Sequence, residues 1–342
     1  MQRFMEEGAL LNERGELADR GFATSLCRRY DRAAIKAGRM RIKEWDYYCV
    51  TSGSLALALT IADNSYMGLD SVTLLDLDTG RQQTKSYMRL FPMGRTGLPA
   101  TSERGDVGVE KRGYRIRFEN DGEKRVLSAH LDDFEKGKPL DAHVVLTDPP
   151  RDSMVIATPF PGKPRHFYYN QKINCLRARG EVRFDGQTHR FAPETASAVL
   201  DWGRGVWTYR NTWYWCSVSG YAGGERFGMN LGYGFGDTSA ATENVLFYKG
   251  EAHKLGHVTF HIPQLGGSDD FLRPWRMDDD AGRLRLVFTP ALDRASLTSA
   301  LVIKSDQHQV FGRFSGTVRL DDGTELELEN LVGFAEKVTN LW

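Results

Sequence analysis

The side chains best suited to proton chemistry in this 342-residue chain fall in three short stretches. In "SDQHQVFGRFSG", strand alternation puts Asp306, His308, Val310 and Gly312 on one face. Gln307, Gln309, Phe311 and Arg313 take the other face. An imidazole with an ordinary pKa of about 6.5 is a ready general acid or base, and Asp306 could orient His308. The same pattern also suits a surface strand or a satisfied internal network, where a lone histidine has no chemical task.

"DWGRGVWTYR" sets Asp201, Arg204 and Arg210 among Trp202, Trp207 and Tyr209. An acid held beside an arginine within aromatic walls could orient a carbonyl or carboxylate ligand, or donate a proton. It could equally be an ion pair pinning a linker. "NLGYGFGDTSAATEN" alternates Gly232, Gly234 and Gly236 with Tyr233 and Phe235, so one face carries no side chains. Glycines there permit a sharp bend or the close approach of a ligand or another backbone. Asp237 has the character of a cap. Asp237 and Glu243 are candidate acids or bases, with Asn244 beside them, unless the segment is only a barrel corner. The spacing is neither a dinucleotide fingerprint nor a P-loop. No nucleophile elbow supports serine chemistry.

Such groups need a frame, and the chain spells out a β frame. "GYRIRFEN-DGEKRVLSAHL", "GEVRF-DG-QTHRF" and "SGTVRL-DDGT-ELELENL" read as hairpins turning at Asp121-Gly122, Asp185-Gly186 and Asp322-Gly323. "SLALALTIAD", "GRLRLVF" and "ALVIKSD" read as strands, and "DRAAIKAGRM" as a helix. "FPMGRTGLPATSERGDVG" has loop composition. In "NTWYWCSVSG", Trp213 and Trp215 share one strand face while Tyr214 takes the other, so one face can line a cavity and the other can pack.

The chain repeats itself. "DYYCVTSG" aligns with "WYWCSVSG", matching Tyr47 and Cys49 to Tyr214 and Cys216. "GEVRFDG" echoes "GTVRLDDG", Asn170-Gln171-Lys172 matches Asp306-Gln307-His308, and Asp201 and Glu336 each precede a tryptophan by six residues. The order is the same in both halves, as duplication requires. The expected architecture is all-β: an N-terminal, partly helical segment over 1–39, then two lipocalin-like antiparallel barrels over 40–207 and 208–342. Closure removes unpaired edges, and eight or so strands leave room for one small ligand.

Composition narrows the function classes. Lys plus Arg equals Asp plus Glu at 45 each, which gives no basic surplus for nucleic acid. No run approaches the roughly 18 apolar residues of a membrane span. The first residues lack a signal-sequence pattern, so a cytoplasmic location is expected. The four cysteines form no C-x-x-C pair and the eight histidines show no ligand spacing with them, so they are expected to be free, with no metal bound.

"RIKEWDYYCVTSG", "FYYNQKINCLRARG", "LDWGRGVWTYRNTWYW", "NLGYGFGDTSAATEN" and "SDQHQVFGRFSGT" together resemble a bacterial family known as a domain of unknown function. That resemblance spans nearly the whole chain and brings no activity. More distantly, the duplicated β architecture and aromatic content resemble the double lipocalin-like proteins of the AttH, carotenoid-hydratase and tocopherol-cyclase type, with some Diels–Alder cyclases. This implies two barrels side by side and an apolar ligand; no catalytic residue carries over.

Three functions follow as expectations. The first is a cofactor-independent acid–base enzyme of hydratase, isomerase or cyclase type, acting on a lipid- or isoprenoid-like molecule through His308, Asp306, Asp237, Glu243 and Asp201. Trp202, Arg204, Trp207, Tyr209, Arg210, Trp213, Trp215, Tyr233 and Asn244 would bind that ligand. The second is a binding protein for a hydrophobic or amphipathic ligand without catalysis. The third is an interaction scaffold, which predicts a broad exposed apolar patch and no enclosed cavity.

Overall fold

The computed structural model describes residues 2–300 and 303–342. Leu301 and Val302, inside the expected strand "ALVIKSD", lie outside the described residues. The all-β expectation holds: a 13-stranded and a 9-stranded antiparallel sheet curl into two half-barrels.

Turn chemistry fixes the hairpins. Asp185 and Gly186 both take positive φ, 54° and 72°, and close a two-residue turn between the paired Phe184 and Gln187. This is the backbone that matches strand twist, and it favours Asp-Gly. The expected helix over 31–40 is instead two single 3-10 turns, Arg32–Ala34 and Arg39–Arg41. So short a segment cannot sustain a helix on its own, and Ile35 and Ala37 pack on the first core instead. The N-terminal segment also belongs to the sheets, since Gly21–Ala23 pairs with Met154–Phe160. The Arg3 amide donates to the Ala240 carbonyl at 2.8 Å.

Seven strands carry the argument: β1 (Ile42–Ser52), β2 (Lys163–Phe184), β3 (Ser197–Val206), β4 (Arg210–Ala222), β5 (Glu225–Tyr233), β6 (Ile303–Arg319) and β7 (Glu325–Leu341). In the first sheet the central order is Leu55–Asp63, β1, β3, β2, Lys138–Thr147. The second sheet repeats it as β5, β4, β7, β6, Leu284–Ala300. Gly180 and Gly316 mark the same place in both. A Cβ on either would lie 2.1 or 2.2 Å from a carbonyl oxygen of the neighbouring strand, His143 or Arg285. The echo of "GEVRF" in "GTVRL" is therefore a shared close approach of backbones.

Another sequence match falls one residue out of register. Tyr47 lies opposite Asp201, and Asp201 opposite Lys172. In the second sheet it is Trp215, not Tyr214, that lies opposite Glu336, with Gln309 beyond. Cys49 packs between the sheets, whereas Cys216 lies in the second core. A one-residue offset in a strand exchanges its two faces. Asp201 and Glu336 are thus true counterparts, Lys172 matches Gln309 rather than His308, and Tyr47 matches Trp215.

Each half-barrel interior is filled. Tyr48, Phe118, Phe134, Phe167 and Trp202 fill the first, and Phe227, Trp275, Phe288 and Phe314 the second. The expected ligand space inside a barrel is therefore replaced by space between the barrels, where the outer faces of β1, β3 and β2 meet those of β4, β7 and β6. Trp213 and Trp215 point into this junction. Tyr214 turns into the second core and stacks on Tyr233 at 4.5 Å.

A bulge in β2 between Ile173 and Leu176 latches the two sheets, with Cys175 at φ 62°. It drives the fully buried Asn174 across the junction, where Nδ2 donates to Ser217 Oγ at 2.9 Å and the Val218 carbonyl at 3.0 Å. Asn174→Ala should lower unfolding stability by about 1–3 kcal/mol, because these acceptors stay buried without a donor. Urea unfolding checks this, and an unchanged midpoint would show that the latch carries no weight.

Candidate active site

At the junction lies a cavity of about 110 Å³. Its polar groups are Lys172 of β2, Asp201 of β3, Glu336 of β7 and Glu243 of the segment after β5. Trp45, Tyr168, Trp207, Trp213, Trp215 and Phe235 form its aromatic wall.

Strand register places each group. Lys172 and Asp201 are cross-strand partners, so both side chains leave the same face, and Nζ sits 2.8 Å from Oδ1. The same ammonium lies 3.7 Å from the centre of the Trp215 ring. Asn170 Nδ2 donates to Asp201 Oδ1 at 2.6 Å. Glu336 receives one donor on each oxygen: Trp213 Nε1 at 2.7 Å on Oε1 and Gln309 Nε2 at 3.0 Å on Oε2. Burial pushes its carboxyl up to about 7, against the pull of the Trp213 hydrogen bond and of Lys172. Glu243 is also raised, chiefly by burial, although part of its surface faces the cavity; Lys172 opposes the shift. Asn230 links the walls, accepting from Trp215 Nε1 at 2.7 Å and donating to the Glu243 carbonyl at 2.9 Å.

Glycines shape the walls. A Cβ on Gly203 would lie 2.0 Å from the Trp45 ring, so that indole lies flat on bare backbone. A Cβ on Gly232 would lie 2.6 Å from Glu243 Oε1. Gly234 and Gly236, at φ 90° and 74°, bend the chain around Phe235. The Phe235 ring meets Phe160, Tyr168, Trp207 and Trp213 edge-on at 4.8–5.4 Å.

Of the residues singled out in the sequence, the cavity gathers Asp201, Glu243, Trp207, Trp213 and Trp215. Trp202 and Arg204 face the first core, since odd positions of β3 face the junction and even ones face away. Arg204 donates to Asp46 Oδ1 at 3.0 Å and pairs with that acid rather than with Asp201. Tyr209 and Arg210 are exposed, and Arg41 lies over the Tyr209 ring. Tyr233 faces the second core. Asn244 accepts from the Gly232 amide at 2.6 Å and donates to the Gly256 carbonyl, closing a loop. Asp237 caps a turn through the Ser239 amide and lies 3.9 Å from Arg20. His308 stacks on Phe271 at 3.9 Å and binds Asp293 at 2.7 Å, with Asp306 at 3.5 Å, on the face of β6 turned from the cavity.

Lys172, Glu336, Trp45, Tyr168 and Phe235 were absent from the sequence-derived set. The parity of Asp201 and the echo at Glu336 were the available signals. Among the described residues, no three His, Cys, Asp or Glu side chains come together as a metal-binding group. All four cysteines are free. Among the described residues, no helix is long and apolar enough to cross a membrane.

Residues 1–342 match the family described as "Domain of unknown function (DUF2804)", and the chain belongs to it. None of the curated proteins compared with the chain matches it. Among solved structures, it is similar to an AttH-type protein from Nitrosomonas europaea, at 15% identity over 88% of this chain and 92% of that one, with a TM-score of 0.54. It also aligns with CghA at 11% identity over 98% and 97% of the two chains, TM-score 0.49. Kievitone hydratase from Nectria haematococca aligns at 10% identity over 99% and 98%, TM-score 0.47. The AttH likeness is one of fold.

The raised Glu336 carboxyl sets a pH dependence. The folded state binds this proton more tightly than the unfolded chain, so the favourable contribution is complete at acid pH. It is lost as pH rises through about 7. Glu336→Gln should therefore raise the melting temperature at pH 8 and leave it nearly unchanged at pH 4. Equal shifts at both pH values would contradict the assignment.

Proposed function

We propose that this chain is an acid–base enzyme of hydratase, isomerase or cyclase type, acting on a largely apolar small molecule in the cavity between its sheets. The observation that carries this reading is Glu336, a buried carboxyl poised at about 7 and facing an aromatic-walled space beside the Lys172–Asp201 pair. A group that titrates near neutrality can both give and take a proton, and such groups concentrate at functional sites.

The residues divide the work. Glu336 transfers the proton, and its two donors, Trp213 and Gln309, hold the carboxylate once the proton has left. Glu243, whose burial favours the protonated form, supplies a second carboxyl across the cavity. Two carboxyls with separately tuned environments can serve as acid and base in one turnover. Lys172 supplies a fixed positive charge for an oxygen that becomes negative, with Asp201 holding the ammonium in place. The aromatic rings take the apolar portion of the substrate and keep water out.

A volume of about 110 Å³ admits a short apolar unit. These steps call on side chains alone, without a cofactor. Free cysteines suit a reducing cytoplasm, and we take 40–207 and 208–342 as the duplicated units.

The experiment is incubation with a library of hydrophobic alkenes, enones and allylic alcohols in D2O, read by mass spectrometry. The wild-type chain should catalyse deuterium uptake or gain of water on at least one class. Glu336→Gln should cut the rate about 10²–10⁴-fold, the range for loss of a general acid–base group. Saturable binding of a library member with no mass change in any would favour a binding protein without catalysis.

A further inference from the structure

With all of its acids ionised, the cavity would carry more negative than positive charge. Asp201, Glu243 and Glu336 bring three carboxyls to its walls and Lys172 brings one ammonium, which Asp201 engages at 2.8 Å. Of the other nearby cations, Lys254 acts on Glu243, and burial lowers its own ammonium to about 7. Lys254 Nζ donates to Thr242 Oγ1 and to the carbonyls of Asn244 and Leu255, at 2.8, 2.8 and 3.0 Å. Arg294 donates to Gln309 Oε1 at 2.7 Å and so acts on Glu336 only through that amide. Tyr168 adds a hydroxyl to the wall but no positive charge.

The geometry at Glu336 is that of an anion holder. Each of its oxygens accepts one N–H, an arrangement that favours the carboxylate. Burial opposes that form, and Lys172, already engaged by Asp201, offsets the opposition only in part. A ligand that brings a cation would resolve the conflict. The walls suit such a ligand, since faces of tryptophan, tyrosine and phenylalanine attract ammonium groups, most strongly when water is excluded. The protein's own Lys172, at 3.7 Å from the Trp215 ring, already shows an ammonium held this way. A neutral molecule would leave Glu336 and Glu243 as buried protonated acids whose N–H donors face no carboxylate, and an anion would find only the Lys172 ammonium, which Asp201 already engages.

We infer that the ligand of this cavity is a hydrophobic amine, held as its ammonium between Glu336, Glu243 and the aromatic wall. The inference rests on the reading of the cavity as the working site, and it narrows the substrate class from apolar to cationic and amphipathic. Binding takes place against the proton on Glu336, so the ligand and that proton compete.

The test measures binding alone, by tryptophan fluorescence and titration calorimetry on the full chain. Its probes are n-butylammonium, 1-pentanol and butyrate. n-Butylammonium should bind saturably, about tenfold more tightly at pH 8 than at pH 6, and should release protons near pH 6 in buffers of differing ionisation enthalpy. 1-Pentanol should bind more weakly and without pH dependence, and butyrate not at all. Glu336→Gln, checked for folding by its thermal melt, should bind n-butylammonium at least about tenfold more weakly at pH 8 and lose the pH dependence. If that variant does not fold, Lys254→Met, which removes the other group brought to about 7, decides the matter: it should keep the pH dependence and the proton release, and loss of both would overturn the inference.

The inference is overturned if n-butylammonium does not bind, if 1-pentanol binds as tightly at pH 8, or if ammonium binding is independent of pH. Absence of turnover would count against the enzyme and leave this binding pattern intact. Turnover of neutral substrates with no ammonium binding would do the reverse.

Discussion

Carboxyls buried between two packed sheets constrain this molecule more than any other feature. A charge there is largely removed from solvent, so its neighbours must answer it. Asp201 is answered by Lys172 and Asn170 from the adjacent strand. Glu336 is answered by Trp213 and Gln309 from the two strands that flank it. These answers depend on register: a slip of one residue in β3 or β7 would turn the acids into the filled cores and bring core side chains into the junction.

The two sheets supply the same frame with different chemistry. Tyr47, Asp201 and Lys172 stand in a row across the first, and Trp215, Glu336 and Gln309 across the second. Where the first row has a lysine the second has a neutral amide, and this one difference separates the acids. The acid opposite lysine has its ion pair. The acid opposite glutamine has hydrogen bonds but no paired cation, and burial lifts its carboxyl to about 7. Duplication thus provides two copies of an acid position, and divergence at a facing residue gives one an ion pair and the other neutral hydrogen-bond donors.

Sequence elements outside the repeat finish the cavity. The segment after β5 contributes Phe235 and Glu243, and it is tied down by the N-terminal residues. Arg3 bonds Ala240, and Gln2 Oε1 accepts from the Thr242 amide at 2.8 Å. Residues 2 and 3 therefore help to hold an acid of the cavity wall in place. Asn174 ties the two sheets to each other through Ser217 and Val218.

The sequence by itself determined the all-β class, the hairpins at Asp121-Gly122, Asp185-Gly186 and Asp322-Gly323, the doubling of the frame and the shared face of Trp213 and Trp215. All of these are local: turn backbone, period-two alternation and repeated order can be read along one strand. The Asp201 and Glu336 echo was legible for the same reason. Tertiary structure alone decided that Lys172, 29 positions earlier in the chain, is the partner of Asp201. It also turned Arg204 and His308 away from the cavity and put the open space between the sheets instead of within them. Those outcomes depend on which strand lies beside which and on which face of each sheet is covered. Pairing between distant strands and packing between faces leave no periodic mark on the chain, so Lys172 and Gln309 look alike in sequence as polar strand residues, and only their neighbours make one a counter-ion and the other a hydrogen-bond donor.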